Sequence, residues 1–470
     1  MTYSSALQYL QSFLNFERIP FEYRRQFNLK QMNSLLGWFD FPQDLFPSVL
    51  VAGTKGKGST ANFLSHILSE NGYQTGLYTS PHLIDPRERI RMNGKVISKS
   101  DFARIVSRIR TVVSRKKKQI KSIEPITYFE IFTLVAILYF AERSVDLGIF
   151  EVGMGGRLDA TNVLDPLISI ITSISYDHQE HLGATLNAIA AEKAAIIKKN
   201  GFVISARQKP EAARVIKNEI RRQKAKGYFL GEQFKTSHEK ITKQGGSFDF
   251  QIDNEIASSA FSLLAMTSLR GSEATEAISK CARLYIPLTG NVQIKNAAVA
   301  LEATNLLERY YDFWFQDGKI RSGLKKAFWP GRFEQLRWRG RTVILDGAHN
   351  GASMEELSLT LKQLYPKRPI TFIYGTSREK QLPDQLKSLL SISSSIILTK
   401  STNPRAQEPK VILEAVYALK YGHPSFLTNH LREAFQTASR IVPKEAVLVV
   451  AGSLFLIGEA REILKCRKFI

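Results

Sequence analysis

A chain of 470 residues is too long for one ordinary hydrophobic core, so two domains are expected. Apolar residues make up 44% and charged residues 23%, which describes a soluble globular protein, and two distant cysteines, Cys281 and Cys466, support neither a disulfide framework nor a zinc site. A net charge of +22 leaves three uses open: nucleic-acid binding, attraction of polyanionic substrates, or a lysine-rich solvated surface.

The first informative stretch is Val51-Ala-Gly-Thr-Lys-Gly-Lys-Gly-Ser-Thr60. Before it, Phe46 to Ala52 has the length and β-branched content of a buried strand. After it, Phe63, Leu64, Ile67 and Leu68 recur at helical spacing up to a stop at Asn71-Gly72. Strand, glycine-rich turn and helix form a phosphate-binding loop, in which backbone N–H groups and the helix dipole attract phosphate oxygens. Lys57 would hold the β/γ-phosphates as a point charge and Ser59 would reach Mg²⁺. Gly58 separates Lys57 from Ser59, so the loop departs from the general G-x-x-x-x-G-K-[ST] pattern.

Apolar strand-like runs then alternate with helices, the pattern of an open α/β sheet. Gly76 to Ser80 is expected as a strand, followed by a helix over Arg104 to Lys121 with a basic outer face. No aromatic residues interleave with those charges, as a single-strand stacking platform would require. The helix Tyr128 to Glu142 contains the longest apolar run, Ile131 to Ala141, too short to span a bilayer. Met1-Thr-Tyr-Ser-Ser-Ala lacks a signal-peptide pattern, and the cytoplasm is the expected compartment. Strands follow at Asp146 to Glu151, Leu167 to Ile174 and, after a helix over Thr185 to Lys198, at Phe202 to Ser205. Tyr228 to Asp253 reads as β-hairpin material turning at Gly245-Gly246, and Gln293 to Tyr310 as a helix. Tyr311 to Gly323 loses periodicity and reads as a linker. A second α/β series carries strands at Thr342 to Asp346, Ile370 to Tyr374, Ser394 to Thr399 and Ala446 to Ala451.

Ligands of parallel sheets sit at the carboxyl ends of strands. Ser59, Ser80, Glu151 and the pair Asp177-His178 all fall just after expected strands. A carboxylate beside hydroxyls and phosphates suits Mg²⁺, which takes few protein oxygens. Lys193 lies in the apolar setting Ala190-Ala-Glu-Lys-Ala-Ala-Ile-Ile197, unusual for a solvated helix charge.

Ten blocks, in order, resemble the folylpolyglutamate synthase/dihydrofolate synthase family, a branch of the Mur ligase superfamily. They are Gly53 to Thr60, Thr79-Ser-Pro-His-Leu83, Thr127-Tyr-Phe-Glu130, Glu151 to Asn162, Asp177-His178, Ile189 to Lys193, Asn296-Ala-Ala298, Pro330-Gly-Arg332, Asp346-Gly-Ala-His-Asn350 and Asn403-Pro-Arg-Ala406. The resemblance implies an α/β fold: a P-loop ATPase-like Mur ligase domain on a mostly parallel sheet (residues 1–322) and a smaller Rossmann-like glutamate ligase domain (residues 323–470). It implies that Thr54, Lys55, Gly56, Lys57, Gly58 and Ser59 bind the ATP phosphates, with Asn296, Arg332 and Asp346 completing the nucleotide site. Ser59, Ser80 and Glu151 match a first Mg²⁺ site, and His178 a second, whose further ligand is a carbamylated Lys193. Thr127, Tyr128, Phe129 and Glu130, with Leu158, Asp159 and Ala160, match positions lining a pterin site. Lys57, Lys193 and His349 match residues needed for catalysis.

The implied reaction joins L-glutamate to dihydropteroate, to a reduced folate, or to both, at the expense of ATP. The pterin carboxylate attacks the γ-phosphate, and the glutamate amine displaces phosphate from the acyl phosphate, with His349 or a nearby carboxylate accepting the proton. A monomer that binds neither nucleic acid nor membrane is implied. Other readings are a different Mur-type ligase, or a nucleotide-gated nucleic-acid-binding protein suggested only by charge. Three departures from the family pattern stand out: Val292 precedes Gln293 where His is frequent, Gly351 follows Asn350 where proline is common, and Arg24 to Lys30 matches only loosely.

Overall fold

The computed structural model of the protein describes residues 1–17, 28–119, 125–253, 280–378 and 382–465. Cys466, most of the Arg24 to Lys30 stretch and the end of the basic helix lie outside the described residues.

The first sheet has eight strands in the order β4-β3-β2-β5-β1-β6-β7-β8. In chain order they are β1 (Ser48–Ala52), β2 (Thr75–Tyr78), β3 (Ile90–Met92), β4 (Lys95–Val96), β5 (Leu147–Glu151), β6 (Ile168–Ile171), β7 (Phe202–Ser205) and β8 (Lys226–Phe229). The six strands from β2 to β8 in that order are parallel; β3 and β4 close one edge antiparallel. Burial on both faces explains the uninterrupted apolar runs of the central strands. Along β1 the side chains alternate between two cores: Val49 and Val51 on one face, Leu50 and Ala52 on the other. The helices Lys57–Glu70 and Asn291–Tyr310 cover the first face, and Lys99–Gln119 and Tyr128–Glu142 the second.

A three-stranded antiparallel sheet of β9 (Phe234–Thr242), β10 (Gly245–Ile252) and β11 (Lys280–Ile286) follows. Its hairpin turns at Lys243-Gln244; Gly245 and Gly246 instead begin β10, where a Cβ on Gly245 would meet the Ile286 carbonyl oxygen at 2.0 Å. Tyr228 belongs to the large sheet, which corrects the hairpin expected from Tyr228 onward.

The expected linker over Tyr311 to Gly323 is also corrected, since Asp317–Lys326 is a helix. Only Ile320, Gly323 and Leu324 of it are buried, too few to show a period in sequence. It straddles the expected domain boundary and packs so closely on the helix Lys57–Glu70 that a Cβ on Gly323 would lie 2.6 Å from the Ile67 Cα. The chain crosses to the second sheet over residues 327–333. That sheet runs β12-β13-β17-β14-β15-β16, all parallel except β12 (Glu334–Trp338), paired antiparallel to β13 (Arg341–Leu345). The others are β14 (Ile370–Tyr374), β15 (Ser395–Leu398), β16 (Ser425–Leu427) and β17 (Val447–Ala451). Among the described residues no helix is long and apolar enough to cross a membrane.

One buried carboxyl group carries a stability prediction. Glu302 is fully buried in the helix Asn291–Tyr310, with Asn305 Nδ2 at 3.3 Å on one oxygen and no hydrogen-bond partner on the other. Burial pushes its carboxyl up to about 8, so the folded state holds it protonated at neutral pH. Its contribution is complete below the usual carboxylate range and is lost as pH rises through about 8, on the order of 5 kcal/mol in all. Glu302→Gln is therefore expected to shrink the drop in Tm between pH 5 and pH 8.5, measured by thermal melts of both proteins. An unchanged drop would mean that other groups set the pH dependence.

Candidate active site

The phosphate loop leaves β1 at a point fixed by close packing. Gly53 (φ +146°) lies so near Thr172 that a Cβ would meet its Oγ1 at 1.9 Å, and Gly56 (φ +88°) would meet Asn296 Oδ1 at 2.2 Å. The Thr54 and Lys55 N–H groups donate to the Ser173 carbonyl at 3.0 and 3.2 Å. Thr54 Oγ1 also donates to Ser175 O and accepts from Ser175 N, each at 3.1 Å. These bonds staple the loop to the exit of β6 and leave the N–H groups at the start of the helix Lys57–Glu70 facing the cleft.

Four neighbouring strands, β2, β5, β1 and β6, deliver Ser80, Glu151, the loop and Asp177-His178 to one edge. Glu151 is buried; its Oε2 accepts the Ser80 N–H at 3.1 Å and its Oε1 lies 4.0 Å from Lys57 Nζ. Burial raises its pKa, against the pull of Lys57, the Ser80 N–H and Arg332. The residue that takes the loop away from the general pattern has a physical purpose here. A Cβ on Gly58 would sit 3.2 Å from Glu151 Oε2 and 3.4 Å from the Trp329 ring, so glycine lets the carboxylate approach the helix start.

Lys193 comes from the helix Leu186–Ala194 and is buried at the cleft wall. No hydrogen bond or ion pair engages its Nζ among the described residues. Burial, with Lys57 adding repulsion, lowers its pKa to about 7. Lys55, partly buried in the cleft, is lowered by desolvation to about 8.

The second sheet points its carboxyl ends at the same cleft. Asp346, after β13, accepts the Phe333 N–H at 2.8 Å and the Ala348 N–H at 2.9 Å, and burial raises its pKa against the pull of Arg332. His349 Nδ1 lies 2.7 Å from the Gly347 carbonyl, which makes Nδ1 the donor, and Nε2 lies 3.7 Å from Asp177 Oδ2. Asn350 Nδ2 donates to the same Asp177 oxygen at 3.1 Å, so Asp177 joins the two domains.

One cleft is therefore lined by Thr54, Lys55, Gly56, Lys57, Gly58, Ser59, Ser80, Glu151, His178, Lys193, Asn296, Arg332, Asp346 and His349 together. The positions matched to a pterin site lie one layer behind it. Thr127 and Glu130 form a buried capping box that starts the helix Tyr128–Glu142. Phe129 packs on Gly153, where a Cβ would meet the ring at 2.6 Å, and Tyr128 lies 5.5 Å under the Arg89 guanidinium. Asp159 is buried and accepts the Met154 N–H at 3.0 Å, with Ala160 also buried and Leu158 partly so. Gly153 and Met154 line the cleft, so these residues brace its wall.

Sequence reasoning passed over Glu356 and Gly452-Ser453 and gave no site role to Gln293 or Arg405, all in the cleft lining. Gly452-Ser453 follows β17 and precedes the helix Leu454–Lys465, a strand–glycine–hydroxyl–helix pattern like the first loop's, and was detectable. Glu356 sits mid-helix on Gly351–Leu364 and gives no local signal.

Among the described residues no three His, Cys, Asp or Glu side chains converge. A cation here would take hydroxyls, substrate phosphate and the isolated Glu151, a hard-oxygen set that fits Mg²⁺. The buried carboxylate, its charge only partly offset by Lys57, fits that demand. A glycine-rich loop at a helix start, a buried carboxylate and a second sheet facing them across one cleft are an arrangement suited to phosphoryl transfer.

Comparison with known proteins matches two stretches of the chain. Residues 51–304 match the Mur ligase middle domain and residues 332–465 the dihydrofolate synthetase C-terminal domain. The chain is 33% identical over 438 residues to the dihydrofolate synthase/folylpolyglutamate synthase of Bacillus subtilis, covering 93% of this chain and 95% of the other. It is 29% identical to the folylpolyglutamate synthase of Lacticaseibacillus casei over 99% of both chains. Mycobacterium tuberculosis folylpolyglutamate synthase complexed with ADP and AMPPCP superposes with a TM-score of 0.85 at 28% identity, covering 98% of this chain and 99% of that one. An FPGS–AMPPCP–folate complex gives 0.81 at 27%, over 99% and 100%.

Proposed function

The chain belongs to the folylpolyglutamate synthase/dihydrofolate synthase family of Mur-type ligases, ATP-dependent enzymes that ligate glutamate in folate metabolism, and we propose that its cleft joins L-glutamate to dihydropteroate, to a reduced folate (poly)glutamate, or to both, through an acyl phosphate. The observation that carries this reading is the meeting of both sheets' carboxyl ends on one cleft, with the phosphate loop on one side and Arg332, Asp346 and His349 on the other.

The loop N–H groups and Lys57 hold the β/γ-phosphates while Asn296, Arg332 and Asp346 hold the rest of the nucleotide. Ser59, Ser80 and Glu151 would ligate one Mg²⁺, and His178 with a carbamylated Lys193 a second. Bound there, the cations neutralise the charge that gathers when a carboxylate approaches a phosphoryl group. Burial of Lys193 supports the carbamate, since the neutral amine is the form that adds CO₂, releasing one proton and leaving an anionic oxygen ligand. His349, held by Gly347 and with Nε2 3.7 Å from Asp177, or a nearby carboxylate, would accept the proton of the attacking glutamate amine. Thr127 to Glu130 and Leu158 to Ala160 shape the pterin site from behind.

We further propose a monomer acting on small molecules, with no nucleic acid or membrane partner. On the basic helix, Arg104 and Arg108 pair with Asp101 and Glu142, which favours a solvated charged surface. Phosphate release by the purified protein is expected to require glutamate together with dihydropteroate or a reduced folate. Release stimulated by RNA alone would refute the ligase reading.

A further inference from the structure

The N-terminal segment makes a strut between the two domains. Its Leu14 carbonyl accepts the Tyr128 N–H at 2.8 Å, which ties it to the start of the helix Tyr128–Glu142. Two residues on from Asn15, the Glu17 carboxylate takes both terminal nitrogens of Arg89, at 2.8 and 2.6 Å. Arg89 is fully buried, stacks 5.2 Å from the Phe132 ring, and donates through Nε to His82 Nδ1 at 2.9 Å. A bidentate, charge-assisted pair on a completely buried guanidinium is a rigid anchor, because either charge alone is costly to leave there.

The second domain grips this anchored segment. Arg405, on the segment after β15, directs Nη1 to the Phe16 and Glu17 carbonyls at 3.3 and 3.1 Å. Its own backbone is fixed at both ends: N–H to Asn403 Oδ1 at 2.9 Å, carbonyl from the Arg378 N–H at 2.9 Å. Arg405 also lines the cleft. Backbone carbonyls on one domain and a guanidinium on the other form a contact that exists only when the domains are docked.

We propose that Arg405 is a positioning residue for ligation: by clamping the Phe16-Glu17 carbonyls, held in place through Glu17 and Arg89, it fixes the docked domain arrangement that keeps water from the acyl phosphate. The proposal rests on the ligase reading above. Its distinctive consequence is a change in coupling, because a gap beside the intermediate lets water compete with the glutamate amine for the same acyl carbon. Either nucleophile releases one phosphate; only the amine leaves an amide.

The test measures phosphate released per glutamate ligated in the wild type, Arg405→Met, Arg405→Lys, Glu17→Gln and the double variant Arg405→Met/Glu17→Gln. The wild type is expected near one phosphate per amide; a wild type without glutamate-dependent phosphate release would refute the ligase reading itself. Arg405→Met is expected to raise the ratio at least about twofold with Tm unchanged, and Arg405→Lys, which keeps one charged donor, to recover part of the coupling. Glu17→Gln should raise the ratio as well, and the double variant should add little to either single change, because both act through one strut. A coupled wild type with an Arg405→Met ratio still at one overturns the clamp, whatever happens to kcat.

Discussion

Lys193→Ala is expected to lower kcat for glutamate ligation by about 10³-fold, with partial recovery on adding acetate or propionate. Lysine at this position has no stabilising role of its own to lose: its amine is buried, unbonded among the described residues, and lowered to about 7. A bare ammonium beside Lys57 and incoming phosphates would favour the wrong partner, whereas a carbamate supplies an oxygen anion where a metal needs one. Losing one preorganised electrostatic group in a dry site costs a factor of this order. A short carboxylate entering the space left by the side chain restores the missing oxygen. The amine form prevails above about 7, so loading from carbon-13 bicarbonate should proceed faster at pH 8 than at pH 6, read as a carbamate resonance. Near-normal kcat in the alanine variant would remove Lys193 from the metal site.

Lys57→Met is the second large effect, a loss of about 10³-fold in kcat/KM. The Nζ is tethered to the Gly53 carbonyl at 3.3 Å and stands 4.0 Å from Glu151, so it is poised between the loop and the carboxylate. Methionine keeps the length and apolar stem but removes the point charge that phosphates need. Lys57→Arg should recover little: the Nζ fits between the Gly53 carbonyl and Glu151, and a planar fork cannot replace a compact ammonium there. Steady-state kinetics of both variants decide it; full activity in the arginine variant would contradict the geometry.

Much of this site was legible in the sequence because parallel sheets convert chain order into spatial order. A residue just after a buried apolar run lands at the carboxyl edge, so chain order alone puts Ser80, Glu151 and Asp177-His178 together. Strands Phe202–Ser205 and Ile370–Tyr374 and the helix Tyr128–Glu142 have the expected bounds because their composition agrees with their burial. The resemblance to a known family supplied the rest of the residue assignments. What stayed hidden was set by tertiary contact. Helix Asp317–Lys326 owes its existence to packing on the phosphate-loop helix, not to a strong period of its own. Glu356 reaches the cleft from mid-helix, and Arg405 acts on backbone carbonyls that no side-chain pattern announces. Gly58 departs from the general loop pattern for a reason set by the close approach of Glu151, which sequence order does not show.

The most direct measurement of the central claim follows an oxygen atom. With the pterin substrate's carboxylate labelled with oxygen-18, attack on the γ-phosphate and displacement by the glutamate amine must carry one labelled oxygen into each released phosphate. Mass spectrometry of phosphate and product is predicted to show one label per phosphate for each amide formed. Unlabelled phosphate accompanying amide formation would contradict ligation through an acyl phosphate.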